Sequence, residues 1–206
     1  KIIQIGNIIR QEIINSEIKD KINNFENINV LVLGGSQAAK SFADELPQIF
    51  KKLKDSNLTI KVFQQCQKEQ KEKLSEFYKK AKIDHEIFSF FKNIIDFYSK
   101  TNLVITRSGA SVLGELVNIN LPFISIPLPS SAENHQLFNA KYFESQGFSF
   151  LVEERNIEKD LFTLIKSIHE DKSLLNQMRE KQKKQSDKKV FELIDKEITK
   201  SLNEKN

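Results

Sequence analysis

The residues with the clearest chemical potential follow a short apolar run near the middle of the chain. Residues 103–105 (Leu-Val-Ile) have the pattern of a buried strand, and Arg107-Ser108-Gly109 then form a polar turn. The pattern beyond the turn predicts a helix over about 110–118. Because the free N–H groups and the dipole at a helix start attract anions, this turn predicts a phosphate site. An ordinary strand–turn–helix connection without a ligand is the alternative at this point.

Two further residues extend this interpretation of the turn. Gly109 is expected to let the backbone take a conformation that a side chain would resist. Glu115 lies about one and a half turns into the predicted helix, where its carboxylate is expected to face the same crevice and accept hydrogen bonds from sugar hydroxyls. Together they favour a ligand that carries both a phosphate and a sugar.

A second turn with two glycines, Gly34-Gly35-Ser36-Gln37, follows the apolar run at 28–33. Its backbone is able to approach a diphosphate closely, and the Ser36 hydroxyl is able to donate to it. The turn lacks the third glycine of a dinucleotide fingerprint and the Gly-Lys-Ser/Thr of a P-loop. Alone it is a weak signal, but two such helix starts on one rim favour a diphosphate ligand.

A third polar group, Asn134-His135-Gln136, lies at the start of another predicted helix. Three polar side chains there suit recognition of sugar hydroxyls, and a simple N-cap on a surface helix is the alternative. His85, His135 and His169 have no metal-ligand spacing to one another or to Cys66, so no metal site is predicted. Neither candidate serine lies in a Gly-x-Ser-x-Gly elbow, which argues against a hydrolase triad.

Apolar runs alternate with helical patterns along the chain, which predicts an α/β fold with a doubly wound parallel sheet. The expected strands cover 27–33, 58–64, 85–91, 103–106, 121–126 and 148–152. The helix after the first strand is expected to break in two at Pro47. Ligands on such sheets bind beyond the carboxyl ends of the strands. The loops expected to meet there cover 34–39, 90–93, 107–111 and 127–136.

The composition sets limits on the class of protein. The chain has 206 residues, 39% of them hydrophobic, enough for one large or two small domains. A net charge of +4 permits acidic ligands or an anionic membrane surface, and without an RNA- or DNA-binding signature no nucleic-acid partner is predicted. Cys66 is the only cysteine, which excludes an internal disulfide framework and fits a reduced, cytoplasmic setting. No apolar run approaches the roughly 18–20 residues of a membrane span.

The motifs together resemble the C-terminal half of the MurG family, the bacterial UDP-N-acetylglucosamine:N-acetylmuramyl-(pentapeptide) pyrophosphoryl-undecaprenol N-acetylglucosamine transferases. The motifs in register are Gly6-Asn7-Ile8-Ile9-Arg10, Gly34-Gly35-Ser36-Gln37, Arg107-Ser108-Gly109-Ala110 with Glu115, and Asn134-His135-Gln136 with Asn139-Ala140. The resemblance covers essentially the whole chain. It implies a GT-B glycosyltransferase, in which two Rossmann-like domains face each other and the C-terminal one binds the nucleotide sugar.

The resemblance also implies roles for individual residues. Glu115 would bind the ribose hydroxyls, the backbone at Phe91 would meet the uracil, and Arg10 would approach the nucleotide from the connector. His135 and Gln136 would contact the N-acetylglucosamine. The residues implied to bind UDP-N-acetylglucosamine are Arg10, Ser36, Phe91, Ala110, Ser111, Val112, Glu115, His135 and Gln136, and those of the phosphate loops are Gly34, Gly35, Gln37, Arg107, Ser108 and Gly109.

The implied reaction transfers N-acetylglucosamine from UDP-N-acetylglucosamine to undecaprenyl-pyrophosphoryl-MurNAc-pentapeptide (lipid I to lipid II), with inversion, in peptidoglycan synthesis. The implied location is peripheral, at the cytoplasmic face of the inner membrane, with the lipid-linked acceptor and an anionic membrane surface as partners. No cofactor or metal is expected, since the nucleotide sugar is a substrate. The acceptor domain of the family is not in this chain. We therefore assign no catalytic base and expect the chain alone to be inactive.

The resemblance divides the chain into three parts. Residues 1–28 are expected to be a connector from an N-terminal acceptor domain, 29–186 the UDP-sugar-binding domain, and 187–206 a helix that packs back toward the absent domain. The chain departs from the family pattern at three places. Ile8 replaces the connector proline, Ala38 replaces a glycine, and Ser-Val at 111–112 replaces a Leu/Thr pair.

Three other functions stay open from the sequence. A stand-alone UDP-sugar-binding subunit would work with a separate acceptor-binding chain. An enzyme like UDP-N-acetylglucosamine 2-epimerase would need a cluster of catalytic acids, bases and histidines on the same fold. A non-catalytic phospholigand-binding module would not discriminate UDP-sugars from plain phosphate.

Overall fold

The computed structural model describes residues 5–16, 27–90, 93–185, 187 and 189–203, with 36–39 and 201 described by their backbone. The strands are β1 Ile28–Leu33, β2 Ile60–Gln65, β3 Asp84–Phe88, β4 Leu103–Thr106, β5 Phe123–Ser125 and β6 Phe150–Leu151. The helices are α1 Gln11–Ile14, α2 Gly35–Asp55, α3 Lys71–Lys80, α4 Ile95–Tyr98, α5 Ala110–Asn118, α6 His135–Ser145, α7 Ile157–Glu170, α8 Ser173–Lys183 and α9 Val190–Asn203. Short 3-10 turns at Lys68–Gln70, Ala132–Asn134 and Glu154–Asn156 precede α3, α6 and α7.

The strands form one parallel sheet of order β3-β2-β1-β4-β5-β6, which confirms the predicted doubly wound α/β fold. The order reverses between β1 and β4, where Val30 lies opposite Leu103 and Leu33 opposite Thr106. At such a switch point the loops after the two strands turn away from each other. A crevice therefore opens between them at the carboxyl edge of the sheet.

The strand side chains alternate between two buried cores, one on each face of the sheet. Val30 and Val32 belong to the core that includes α2 and α7, whereas Leu31 belongs to the core that includes α5. Both faces of a parallel sheet are covered by helices, so the period-two alternation supplies an apolar set to each. The connector joins the second core through Ile9 and Ile13, which are 2% and 0% exposed. Apolar burial thus anchors the connector to the domain.

The structure corrects the expectation for Pro47. α2 runs without interruption from Gly35 to Asp55 with Pro47 inside it, so the predicted break into two helices is wrong. A proline inside a helix costs about 3 kcal/mol, because it removes an N–H and crowds the preceding turn. The apolar face around it is fully buried, with Phe42 and Leu46 each 0% exposed, and each such side chain contributes roughly 1.5–3 kcal/mol. Burial on both sides of Pro47 outweighs its local cost.

The connector differs from expectation in its helical content. The sequence predicts a helix over 10–22, whereas α1 covers only Gln11–Ile14, and residues 17–22 of that prediction lie outside the described residues. The segment before α1 contacts α5, since a Cβ on Gly114 would lie 3.0 Å from Cβ of Asn7. Within the described parts of the chain, no helix has both the length and the apolar character needed to cross a bilayer.

Candidate functional site

A cavity of about 660 Å³ opens at the carboxyl edge of the sheet, at the switch point between β1 and β4. Its walls come from the connector, the ends of β1, β2 and β4, and parts of α2, α4, α5 and α6. The residues singled out from sequence that line it are Arg10, Gly34, Gly35, Arg107, Gly109, Ser111, Val112, Glu115 and Gln136. The fold therefore brings residues from four separate motifs to one place.

The start of α5 forms one wall of this cavity. The first backbone bond of the helix runs from the Leu113 N–H to the Gly109 carbonyl at 3.1 Å. The N–H groups of Ala110, Ser111 and Val112 precede that bond and have no partner within the helix. Ser111 and Val112 line the cavity. Unpaired amides at the positive end of a helix dipole form a site suited to an anion.

Glycine is required at a different position from the one expected. Gly109 has φ −70° and ψ 130°, an extended conformation open to any residue, so the expectation that this turn needs glycine is wrong. Gly35, by contrast, has φ +67°, where an L side chain is strained. Its amide donates to Oε1 of Gln65 at 3.3 Å. Ser36 and Gln37 come next in α2, but their side chains lie outside the described parts.

The carboxylate of Glu115 is engaged by the guanidinium of Arg10. Nε of Arg10 lies 2.6 Å from Oε1 and Nη2 lies 2.8 Å from Oε2, which is a bidentate pair. The side chain of Glu115 is 8% exposed and that of Arg10 is 49% exposed. The hydrogen bond to Glu115 raises the pKa of Arg10. A fixed cation and a nearly buried carboxylate thus stand together one turn beyond the α5 amides.

Arg107 lines the cavity but its guanidinium is directed to other partners. Nη2 donates to Oε1 of Glu154 at 2.6 Å and to Oγ of Ser41 at 2.7 Å, and the guanidinium lies 4.3 Å from the centre of the Phe42 ring. The side chain is 7% exposed. Arg107 therefore links the end of β4 to α2 and to the turn before α7. These contacts hold the turn after β4 against α2.

Gln136, in the first turn of α6, supports the turn that follows β4. Its Oε1 accepts from the backbone N–H of Ser108 at 3.2 Å and from that of Leu128 at 3.0 Å. Asn139, one turn further along α6, donates to the Ser108 carbonyl at 3.0 Å. The loop after β4 and the loop after β5 are therefore fixed to one side-chain amide. With its oxygen bonded to backbone, Gln136 keeps its Nε2 donor for another partner, and the residue lines the cavity.

Three of the predicted contacts among the described residues do not line the cavity, namely His135, Ser108 and Ala110. His135 is exposed, and its Nδ1 lies 2.8 Å from the Ala132 carbonyl. Ser108 is completely buried behind the turn, and no described residue bonds its hydroxyl. Phe91, expected to meet a uracil, lies outside the described residues.

Other wall residues were missed by sequence reasoning. Gln65 ends β2 at the same edge and accepts from the Gly35 amide, whereas the sequence predicts no contribution from the loop after that strand. Tyr98 of α4 is 1% exposed and lines the cavity beside Arg10 and Glu115. Burial, followed by the charge of Glu115, raises the pKa of Tyr98. The sequence predicts a short helix over 93–99 that contains Tyr98, but no motif marks this residue as part of a site.

The arrangement can bind a ligand that carries an anion and neighbouring hydroxyls. Amides at the α5 start suit a phosphate, and a carboxylate further along the same helix suits hydroxyl groups. Across the described residues, no group of three or more His, Cys, Asp or Glu side chains is placed to hold a metal ion. Positive charge at the cavity is supplied by Arg10 and Arg107 in its wall and by the start of α5.

Two bacterial relatives both carry the name UDP-N-acetylglucosamine--N-acetylmuramyl-(pentapeptide) pyrophosphoryl-undecaprenol N-acetylglucosamine transferase. The protein of Rickettsia typhi is 40% identical over 152 residues, which are 71% of this chain and 40% of that protein. The protein of Francisella tularensis subsp. tularensis is 33% identical over 205 residues, 98% of this chain and 55% of that protein. The chain thus spans about half the length of the curated relatives it matches.

The fold and the family follow from two further comparisons. The crystal structure of Acinetobacter baumannii MurG matches with a TM-score of 0.72 at 23% identity, over 82% of this chain and 51% of that chain, which shows a common fold. The family model for the glycosyltransferase family 28 C-terminal domain matches residues 29–194, which is most of the chain. This chain therefore belongs to glycosyltransferase family 28, as a member of its C-terminal domain family.

Proposed function

We propose that this chain is the donor-binding part of a glycosyltransferase that moves N-acetylglucosamine from UDP-N-acetylglucosamine to undecaprenyl-pyrophosphoryl-MurNAc-pentapeptide in peptidoglycan synthesis. The observation that carries the proposal is the convergence of Arg10, Glu115 and the unpaired α5 amides on one cavity. A nucleoside diphosphate offers ribose hydroxyls next to a diphosphate, which match a carboxylate next to an amide cluster. The names of the relatives supply the sugar and the acceptor.

In this proposal the donor lies along α5. The diphosphate rests on the amides of residues 110–112, with the Ser36 hydroxyl and the Gly34-Gly35 backbone on its other side. The Glu115 carboxylate accepts from the ribose hydroxyls, and the backbone at Phe91 meets the uracil. Arg10 gives up its bidentate pair with Glu115 as the ribose arrives and turns to the phosphate.

The sugar end of the donor reaches α6. The oxygen of Gln136 is already bonded to the Ser108 and Leu128 amides, which supports Nε2 as the donor to a sugar oxygen. His135, exposed on the same first turn of α6, completes the contact. One side chain then holds both the phosphate turn and the sugar, which couples the two ends of the donor.

The reaction inverts the anomeric centre. The muramoyl hydroxyl of the acceptor attacks the anomeric carbon, its proton passes to a general base, and the bond to the UDP oxygen breaks. The helix starts of α2 and α5 and the Arg10 guanidinium stabilise the charge that develops on the leaving diphosphate. We place the base in a separate acceptor domain and propose that this chain alone binds the donor without turnover. Neither a metal nor a cofactor is part of this proposal.

The proposed organisation follows from the same assignment. Residues 1–28 lead from the acceptor domain, 29–186 form the donor domain, and 187–206 pack back toward the acceptor domain. The enzyme would work peripherally at the cytoplasmic face of the inner membrane, where a lipid-linked acceptor is accessible. A net charge of +4 suits approach to an anionic surface.

Calorimetric titration of the chain with UDP-N-acetylglucosamine and with UDP-glucose tests the proposal. We expect binding that prefers the acetylated sugar and weakens about ten- to a hundredfold in Glu115→Ala, which removes charge-assisted hydrogen bonds to the ribose. Glu76→Ala removes an exposed carboxylate of α3, away from the cavity, and is the matched control. A folded chain that binds neither nucleotide sugar would overturn the proposal. Equal affinity for UDP-sugars and inorganic phosphate would favour a phospholigand-binding module instead.

A further inference from the structure

The carboxyl group of Asp187 joins three parts of the chain that are distant in sequence. Its Oδ2 accepts from Nδ2 of Asn7 at 3.1 Å and from Nδ2 of Asn118 at 2.8 Å. Its backbone N–H donates to Oδ1 of Asn118 at 2.9 Å. Asp187 is only 4% exposed. Burial of a carboxyl group is costly unless its oxygens accept hydrogen bonds, so these contacts account for its place in the interior.

The connector is pressed against the same carboxyl group at Gly6. This residue has φ +93°, and a Cβ there would lie 2.4 Å from Oδ1 of Asp187 and 3.0 Å from Cγ2 of Val190. The close approach extends to α5, where a Cβ on Gly114 would lie 3.0 Å from Cβ of Asn7 and 3.1 Å from Cδ1 of Ile9. Two glycines thus let the connector lie in direct contact with both α5 and the turn before α9.

Arg10 is the residue at the far end of this contact. Asn7 is held by Asp187, and three residues later Arg10 forms its bidentate pair with Glu115. A slip of one residue moves the backbone by up to about 3.3–3.6 Å, which exceeds the length of either hydrogen bond in the bidentate pair, so the present pairing geometry would be lost. The position of Arg10 therefore depends on where the connector is fixed upstream.

We propose that Asp187 is a positioning residue for the donor site. By holding Asn7 it sets the register of the connector on α5, and it thereby places Arg10 beside Glu115 and the cavity. Asp187 is not among the residues that line the cavity, so it acts through Arg10 and does not touch the donor. This inference rests on the proposed function, because it assigns Asp187 to that same site.

A double-mutant cycle on the whole chain, with UDP as the titrant, tests this role. Asp187→Ala should weaken UDP affinity about three- to tenfold. In an Arg10→Ala background the same change should alter affinity by less than about twofold, because the residue through which Asp187 acts is absent. Circular dichroism identifies a temperature at which all four proteins are folded, and the titrations are made there. Asp84→Ala, an exposed carboxylate of β3, is the control and should leave UDP affinity unchanged.

A swap of partners separates register from general stability. Asp187→Asn should weaken UDP binding, and adding Asn7→Asp should restore affinity to within about twofold of the original, because the exchanged pair again joins a carboxylate to an amide. Three results would overturn the inference. The first is an Asp187→Ala variant with unchanged UDP affinity, and the second is an equal loss of affinity in the original and Arg10→Ala backgrounds. The third is a double exchange that does not restore affinity. A folded original chain without UDP affinity would instead overturn the proposed function, and the inference with it.

Discussion

The guanidinium of Arg10 and the carboxylate of Glu115 meet edge to edge, with Nε 2.6 Å from one oxygen and Nη2 2.8 Å from the other. Both side chains line the cavity in which we place the nucleotide. In the donor pose that we propose, the ribose replaces this pair at Glu115. Since the Arg10 side chain is 49% exposed, solvent weakens the pair to about 1 kcal/mol, and a ligand is able to displace it.

Arg10→Ala should change the affinities for uridine and for UDP in opposite directions. Uridine should bind up to about fivefold more tightly, because Glu115 is released for the ribose. UDP should bind about tenfold more weakly, because the cation that meets its phosphate is lost. Ligand-observed NMR titrations measure both. Arg155→Ala, which removes an exposed arginine, is the control, and a parallel change for the two ligands would contradict the competition.

Two substitutions at Gln136 should separate its two roles. Gln136→Glu keeps an oxygen acceptor for the Ser108 and Leu128 amides but removes the Nε2 donor. The free energy of unfolding should therefore change little, whereas the preference for UDP-N-acetylglucosamine over UDP should be lost. Gln136→Leu leaves both amides unpaired and should lower the free energy of unfolding by roughly 1–3 kcal/mol. Urea unfolding and calorimetry give the two readouts. Retained sugar preference in Gln136→Glu would exclude Nε2 as a sugar contact.

Arg107→Met should lower the free energy of unfolding, although Arg107 lines an open cavity. The change leaves Glu154 without its cation and removes the stacking on Phe42, and we expect a loss of roughly 2–4 kcal/mol in the free energy of unfolding. Arg107→Lys keeps the charge but loses the planar fork, so it should recover only part of the loss. Urea unfolding of both variants and of Arg107→Met with Glu154→Gln measures the coupling. A double variant whose losses simply add would rule out a coupled pair.

Tyr98 should make the protein sensitive to alkaline pH. Burial raises its pKa in the folded state, whereas the unfolded chain releases the proton near pH ~10. Above that pH the folded state holds more protons than the unfolded state, so the free energy of unfolding falls as pH rises toward the folded pKa. Tyr98→Phe should reduce this slope without abolishing it, because burial raises the pKa of Tyr78 as well. Urea unfolding from pH 8 to about 11 compares the two proteins, and identical slopes would contradict the prediction.

Local pattern was sufficient for the elements that carry the site. The bounds of α5 agree with the prediction because a buried strand, an extended turn and an apolar helix follow one another without a competing signal. The same reasoning failed at Pro47, where tertiary burial on both sides outweighs a local rule. It also assigned to Gly109 a conformational need that belongs to Gly35. The glycines in the sequence indicate where the chain turns, but not which of them has a positive φ.

The pairings within the site were beyond sequence reasoning. Arg10 and Glu115 were both candidate ligands, yet nothing in the sequence shows that each is the other's partner across a separation of 105 positions. Arg107 likewise belonged to the phosphate turn, and only the packing of Glu154 and Ser41 reveals where its guanidinium is held. Such contacts join elements through tertiary packing, which no single-sequence pattern encodes.

The switch point between β1 and β4 also has a kinetic consequence. The two strands pair directly, as Val30 with Leu103, although β2, β3 and the helices α2, α3 and α4 lie between them in the chain. Closing so long a segment costs chain entropy before the contacts form, so this pairing belongs to the slow part of folding. The turns after β1 and β4, which we propose to bind the diphosphate, meet only when this pairing is complete. Nucleotide affinity should therefore appear last during refolding. A bound nucleotide should stabilise the completed sheet, because it binds only the folded state.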